Sequence, residues 1–164
     1  MAAANPCRCG HLWDDKKICT CTGHQIDQYM RKLNGPLSDR IDMHIKMFHA
    51  DREIIENENH RQKAMSSLEM RYQVERAMLV QQKRYKGTKY RNNGDLDEKG
   101  IEEFCPLDKG CKEVMVAAYD KLGLSMRGRS RMIKIARTIA DLDGSKDITP
   151  EHLAEAVRYR TVEL

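Results

Sequence analysis

The sequence predicts a mainly α protein of the α+β class, on three observations. Apolar residues recur at helical spacing through most of the second half. Charged residues make up 33% of the chain against 5% aromatics, and methionine is frequent at 10, a balance that suits amphipathic helices better than a β-sandwich. The four cysteines crowded between Cys7 and Cys21 mark a loop with its own chemistry and little core.

Taken in order, residues 1–4 are apolar and run into Asn5-Pro6, where proline disfavours helix and implies an extended segment ending in a loop. Residues 7–24 form a Cys-rich excursion. Ile26, Tyr29, Met30 and Leu33 then recur at helical spacing until Asn34-Gly35-Pro36. Residues 42–49 read as a strand, because Met43, Ile45 and Met47 alternate with His44 and Lys46.

A helix is expected over residues 64–84, and residues 86–95 read as a linker, rich in Gly and Asn and without apolar periodicity. Four short helices follow: 98–104, 112–122, 125–142 and 150–159. In the third, Met132, Ile135, Ala136, Ile139 and Ala140 share a stripe, with Arg127, Arg131, Lys134 and Arg137 at other positions. The last begins with Thr149 as N-cap and Pro150 at the first helical position, where a missing N–H costs nothing. The expected division is therefore 1–60, 61–94 and 95–164.

The formal charge of +4 is mild and does not by itself establish a nucleic-acid partner. No stretch approaches the ~18 to 20 apolar residues of a membrane span, and residues 1–10 lack the regions of a signal peptide. The expectation is a cytoplasmic protein with no membrane partner.

Cys7, Cys9, Cys19 and Cys21 give C-x-C-x9-C-x-C, two close pairs separated by a loop long enough to fold back. Four thiolates satisfy the tetrahedral preference of zinc, with His11 and His24 as substitute ligands; reduced structural cysteines and disulfides are the alternatives. Cys105 and Cys111 read as buried thiols, and Met65, Met70 and Met78 as packing.

Three stretches carry a family resemblance: Ala4-Asn5-Pro6-Cys7-Arg8-Cys9-Gly10, Gly35-Pro36-Leu37-Ser38-Asp39-Arg40-Ile41-Asp42, and GLSMRGRSRMIKIARTIADLDG at 123–144. In type and order they resemble the magnesium chelatase branch of AAA+ ATPases, and the thiol pair after Asn5-Pro6 is closer to the ComM type than to chelatase subunits. The resemblance extends over residues 1–160 and is weakest between 51 and 92. It implies the C-terminal remnant of a AAA+ α/β core, with a Cys-rich insertion at 7–24, followed by a helical lid at 95–164. It also implies ATP and Mg as cofactors, a homo-oligomeric, hexameric ring, and DNA as the substrate of the intact motor.

The resemblance makes Asn5 sensor 1, where an amide holds the attacking water or a γ-phosphate oxygen. It makes Arg40 the arginine finger offered to a neighbouring subunit, and Arg127 the sensor-2 residue facing its own subunit's nucleotide. The plain readings are an Asn-Pro turn, an ion pair of Arg40 with Asp39 or Asp42, and a solvated or DNA-facing cluster of Arg127, Arg129 and Arg131. No G-x-x-x-x-G-K-[ST] phosphate loop or acidic metal-binding strand occurs in the sequence, so this chain alone is expected to be inactive. Competing readings of the intact protein are a motor inserting magnesium into a porphyrin and a zinc-stabilised nucleic-acid-binding module.

Overall fold

The computed structural model describes residues 1–33, 40–47 and 65–160. The chain divides into two compact units, Met1–Gln62 and Lys63–Thr161. Among the described residues the structure is helical without strands, as the mainly α expectation requires.

In the first unit the cysteine loop leads into α1 (Gly23–Leu33). Thr22 and Gln25 cap this helix reciprocally: the Gln25 N–H donates to Thr22 Oγ1 at 3.3 Å, and the Thr22 N–H donates to Gln25 Oε1 at 3.0 Å. The strand expected at 42–49 is corrected. Residues 1–4 and 42–47 are irregular, and 48–49 lie outside the described residues. Alternation alone does not make a strand. Met43, Ile45 and Met47 are exposed, and nothing among the described residues completes the ladder that would bury one face.

The second unit is built on α2 (Ser67–Arg84), α3 (Glu98–Phe104), α4 (Lys109–Leu122), α5 (Met126–Asp143) and α6 (Pro150–Arg158). Polar caps set where each begins. Ser66 and Glu69 form a capping box at α2. Asp97, Asp108 and Ser125 accept from the Gly100, Cys111 and Gly128 N–H groups at 2.9, 2.7 and 3.1 Å. At α6 the Thr149 N–H donates to His152 Nδ1 at 3.0 Å, with Pro150 in the first turn. Gly144, at φ +75°, ends α5 in the left-handed region that a side chain would strain.

Helix α5 is the axis of the unit, packing on α6, α2 and α3, while α4 packs on α6. Met132, Ile133 and Ala136 are fully buried there in one core with Leu153 and Ala156 of α6, and Ala140 is fully buried one turn further on. Ile135 and Ile139, from the expected stripe, pack on the margin. Tyr85, Tyr90 and Phe104 close the far side edge to face, with centroids 5.1 to 6.2 Å apart.

Residues 86–95, read as a linker, are a built part of this unit, because Asn93 is a buried hub. Its N–H donates to Gln81 Oε1, its amide donates to Asp141 Oδ2 and Thr138 Oγ1, and its carbonyl oxygen accepts from Tyr85 Oη. Asp141 is fully buried and accepts a bidentate pair from Arg84 and a third bond from Arg137 Nε at 3.2 Å. The Arg137 guanidinium also donates to the Lys146 and Ser145 carbonyls at 2.9 and 2.8 Å. Arg137 was expected away from the apolar stripe, and it is instead 2% exposed. A buried guanidinium is tolerated because its polar hydrogens find acceptors on both sides of the helix end.

Candidate functional site

The four clustered cysteines meet. Gly10, at φ +83°, turns the chain back so that its N–H donates to the Cys7 carbonyl at 3.1 Å, closing the first knuckle. The loop then stiffens around Asp14. Its Oδ2 pairs with His11 Nδ1 at 3.0 Å, and its Oδ1 accepts from the Lys16 and Lys17 N–H groups at 2.9 and 3.2 Å. The chain returns through Cys19 and Cys21 to α1, where Arg8 donates to Gln28 at 3.2 Å and ties the first knuckle to that helix. Lys46 Nζ stands 4.0 Å over the Trp13 ring.

The Sγ atoms of Cys7, Cys9, Cys19 and Cys21 all lie within 4.8 Å of one another. Cys7 to Cys9 is 3.3 Å, Cys9 to Cys19 is 3.5 Å and Cys7 to Cys19 is 3.8 Å. A tetrahedral ion with sulfur ligands at ~2.3 Å has ligand-to-ligand edges of about 3.8 Å, so the donor set suits a thiophilic metal after small adjustments of the side chains. All six cysteines are free thiols.

The cluster is electrostatically divided. Backbone hydrogen bonds from His11 and Thr20 bring Cys9 down to about 5, so it ionises first. Cys19 receives a backbone hydrogen bond from Cys21 that favours its thiolate. Burial and the sulfur neighbours Cys9 and Cys7 outweigh this and push it up to about 12. Cys21 is raised in the same way, against a hydrogen bond that its sulfur accepts from the Cys9 backbone. Cys19 and Cys21 thus resist ionising beside their sulfur neighbours, and a divalent cation would remove that penalty. Neither substitute ligand joins the set: His11 is held by Asp14, and His24 is exposed in the first turn of α1.

Asn5 is exposed, with its amide 3.9 Å from where a Cβ on Gly10 would stand, so it sits beside the first knuckle. Arg40 is exposed in the same unit. Arg127 belongs to the second unit, exposed on the first turn of α5 beside the Ser125 cap, whereas Arg129 and Arg131 are half-buried. Cys105 and Cys111 are buried and pushed up to about 11 by that burial, and the Cys111 thiol donates to the Ile148 carbonyl at 3.3 Å. The Arg84–Asp141–Arg137 cluster was not anticipated. Its signal was the four-residue spacing of Arg137 and Asp141, which puts opposite charges on one face of α5.

The fold and thiol cluster define a mainly α protein with a cysteine knuckle ahead of a helical bundle. Residues 64–160 match the family described as "Magnesium chelatase, subunit ChlI C-terminal", and residues 1–55 match "Magnesium chelatase, subunit ChlI"; the chain belongs to this family. It is similar to competence protein ComM of Haemophilus influenzae, 33% identical over 162 residues covering 99% of this chain and 30% of that protein. It is also similar to the protein YifB of Escherichia coli, 32% identical over 163 residues covering 99% of this chain and 31% of that protein. The chain thus spans about a third of the length of these relatives, and within the family it is of the ComM type.

Proposed function

We propose that this chain is the sensor and lid portion of a AAA+ ATPase that works, in the intact protein, as an ATP-driven motor on DNA. The observation that carries the reading is Arg127: an exposed guanidinium on the first turn of a helix whose other end is locked by buried ion pairs. That arrangement suits a residue that reports a phosphate to a rigid body. In this reading Asn5 holds the attacking water, Arg40 reaches a neighbour's nucleotide in a hexameric, cytoplasmic ring, and Arg127 reaches its own subunit's γ-phosphate. Similarity to a protein named for competence supports DNA as the substrate. Among the described residues no helix is long and apolar enough to cross a membrane.

The purified 164 residues should not turn over ATP. In an intact protein carrying this segment, Arg40→Ala or Arg127→Ala should lower turnover by roughly 10³ while assembly persists. Unchanged turnover in both variants overturns the assignment. A chelatase motor is the second reading, favoured by the family's description; stimulation of ATP turnover by a porphyrin rather than by DNA would select it.

The same proposal includes zinc held by Cys7, Cys9, Cys19 and Cys21 as a staple for a loop with little core. The ion supplies charge that keeps four neighbouring thiols ionised. The chain's own part is to orient them through the Gly10 turn and the Asp14 brace. Elemental analysis should find one zinc per chain, and cobalt substitution should give thiolate charge-transfer bands. A metal-free chain with four readily alkylated thiols would refute it.

A further inference from the structure

Past the end of α2 the chain doubles back on the helix it has just left. Gly87, at φ +82°, makes the turn, and the Thr88 N–H donates to the Tyr85 carbonyl at 3.0 Å within it. The result is a groove of about 410 Å³, lined by Met78, Gln81 and Gln82 from the helix and by Tyr90, Arg91 and Asn92 from the returning segment. That is the size of a small-ligand site.

The groove carries hydrogen-bond donors with nothing to give to. Gln81 is 8% exposed, and its Oε1 is committed to the Asn93 N–H. That bond fixes the amide, so its Nε2 is left over, and among the described residues it meets no acceptor. Asn92, which is exposed, repeats the pattern: its Oδ1 accepts the Gly94 N–H at 2.8 Å, and its Nδ2 meets no acceptor among the described residues. A donor left unmade in a mostly buried side chain is costly until a partner arrives.

Charge adds a second condition. Residues 81–94 hold Lys83, Arg84, Lys86, Lys89 and Arg91 and no acidic residue. Arg84 is spent on Asp141 and Lys89 on Asp97. Arg91 turns only its Nε to Asp95, at 3.5 Å, on a side chain that is 89% exposed, and Lys86 is exposed beside the turn. An occupant must therefore bring acceptors on a flat, partly apolar body for Gln81, Asn92, Tyr90 and Met78, together with negative charge for Arg91 and Lys86. A nucleobase on its phosphate backbone has all of these, and a base without its complement has its acceptor edge open.

We propose that this groove takes a base of single-stranded DNA, with Gln81 and Asn92 donating to the base edge and Arg91 meeting the adjoining phosphate. The choice of DNA rests on the motor reading above. The site is a further one, because Gln81 and Asn93 join α5 at its Asp141 end, away from Arg127.

Fluorescence anisotropy with a labelled oligothymidylate of about 12 nucleotides, titrated with the 164-residue chain, tests this. Binding should weaken steeply with salt, and a duplex of the same length should bind roughly tenfold more weakly. Arg91→Ala should weaken strand binding by roughly tenfold. Asn92→Ser, which keeps an oxygen to cap the Gly94 N–H and loses the amide donor, should weaken it by roughly fivefold. Lys121→Ala, an exposed cation on α4, should leave it unchanged. Circular dichroism checks that each variant is folded. No binding at roughly 100 µM chain, equal affinity for the duplex, or a loss in Lys121→Ala equal to that in Arg91→Ala overturns the proposal. So does an oligouridylate bound more tightly than the oligothymidylate, or thymidine monophosphate bound as tightly, which would make the groove a free-nucleotide site. The two readings fail separately. An intact protein whose ATP turnover needs DNA, beside a groove that binds no strand, keeps the motor and loses the groove; strand binding here, beside unchanged turnover in Arg40→Ala and Arg127→Ala, does the reverse.

Discussion

The two units hold themselves together by different means. Among the described residues of the first, Cys7 is the one buried residue of apolar type, and the loop is shaped by a glycine turn, an aspartate brace and four thiols. The second has a continuous apolar core on both sides of α5 and, at one end of it, a buried cluster of two arginines, an aspartate and an asparagine. The difference teaches where each is vulnerable. A unit with a core depends on what it excludes from water, and a loop without one depends on what it binds.

The largest effect should come from the buried cluster. Asp141→Ala leaves Arg84 and Arg137 facing each other without their shared carboxylate, and removing one partner of a buried pair costs about 3 to 5 kcal/mol. Denaturant unfolding of the second unit measures this. A loss under about 1 kcal/mol, the scale of exposed pairs, would mean the cluster is no more than surface-like.

Metal removal should act on the other unit. Chelator treatment, or Cys19→Ser, is expected to abolish amide-exchange protection in residues 7–28 while the unfolding midpoint of the second unit stays where it was. Loss of protection in α5 as well would erase the contrast between the units.

The smallest effect belongs to an exposed pair. Asp97 is held well below the usual carboxylate range by hydrogen bonds from Lys89 and Tyr90 and from the Gly100 N–H it caps. A folded-state value below the unfolded one adds stability above the ordinary carboxylate range near ~4 and loses it as pH falls through and below that range. Because Lys89 and Asp97 are both largely solvated, Asp97→Asn should flatten the acid side of the stability profile only slightly. A steep change would show that this pair is less screened than its exposure implies.

Much of the helical unit was legible because its helices announce their starts. Thr149-Pro150 is read from the sequence, whereas Ser66 with Glu69, Asp97 and Asp108 are local signals of the same kind that the structure brings out. The unread Asp108 cap is why α4 begins at Lys109 and not at 112. The spacing C-x-C-x9-C-x-C was likewise enough to suspect that four sulfurs converge. Two features were not legible. Residues 42–47 alternate like a strand, but a strand is a statement about a neighbour that the alternation does not supply. Asn93 looked like a solvated residue because burial of a polar side chain is decided by distant partners, here Gln81, Thr138 and Asp141, that sequence order does not bring together. Arg137 has Asp141 four residues on, but the Ser145 and Lys146 carbonyls complete its burial from beyond the helix.

Arg137 clamps the backbone just beyond its own helix, at Ser145 and Lys146, while Ser125 and Arg127 at the other end face solvent. Yet Gly128 and Ser130, on the same end as Arg127, are buried, and Ser130 Oγ donates to Glu98 of α3. The helix is therefore gripped at both extremities, and a displacement of its first turn would be shared with its neighbours instead of being taken up by bending.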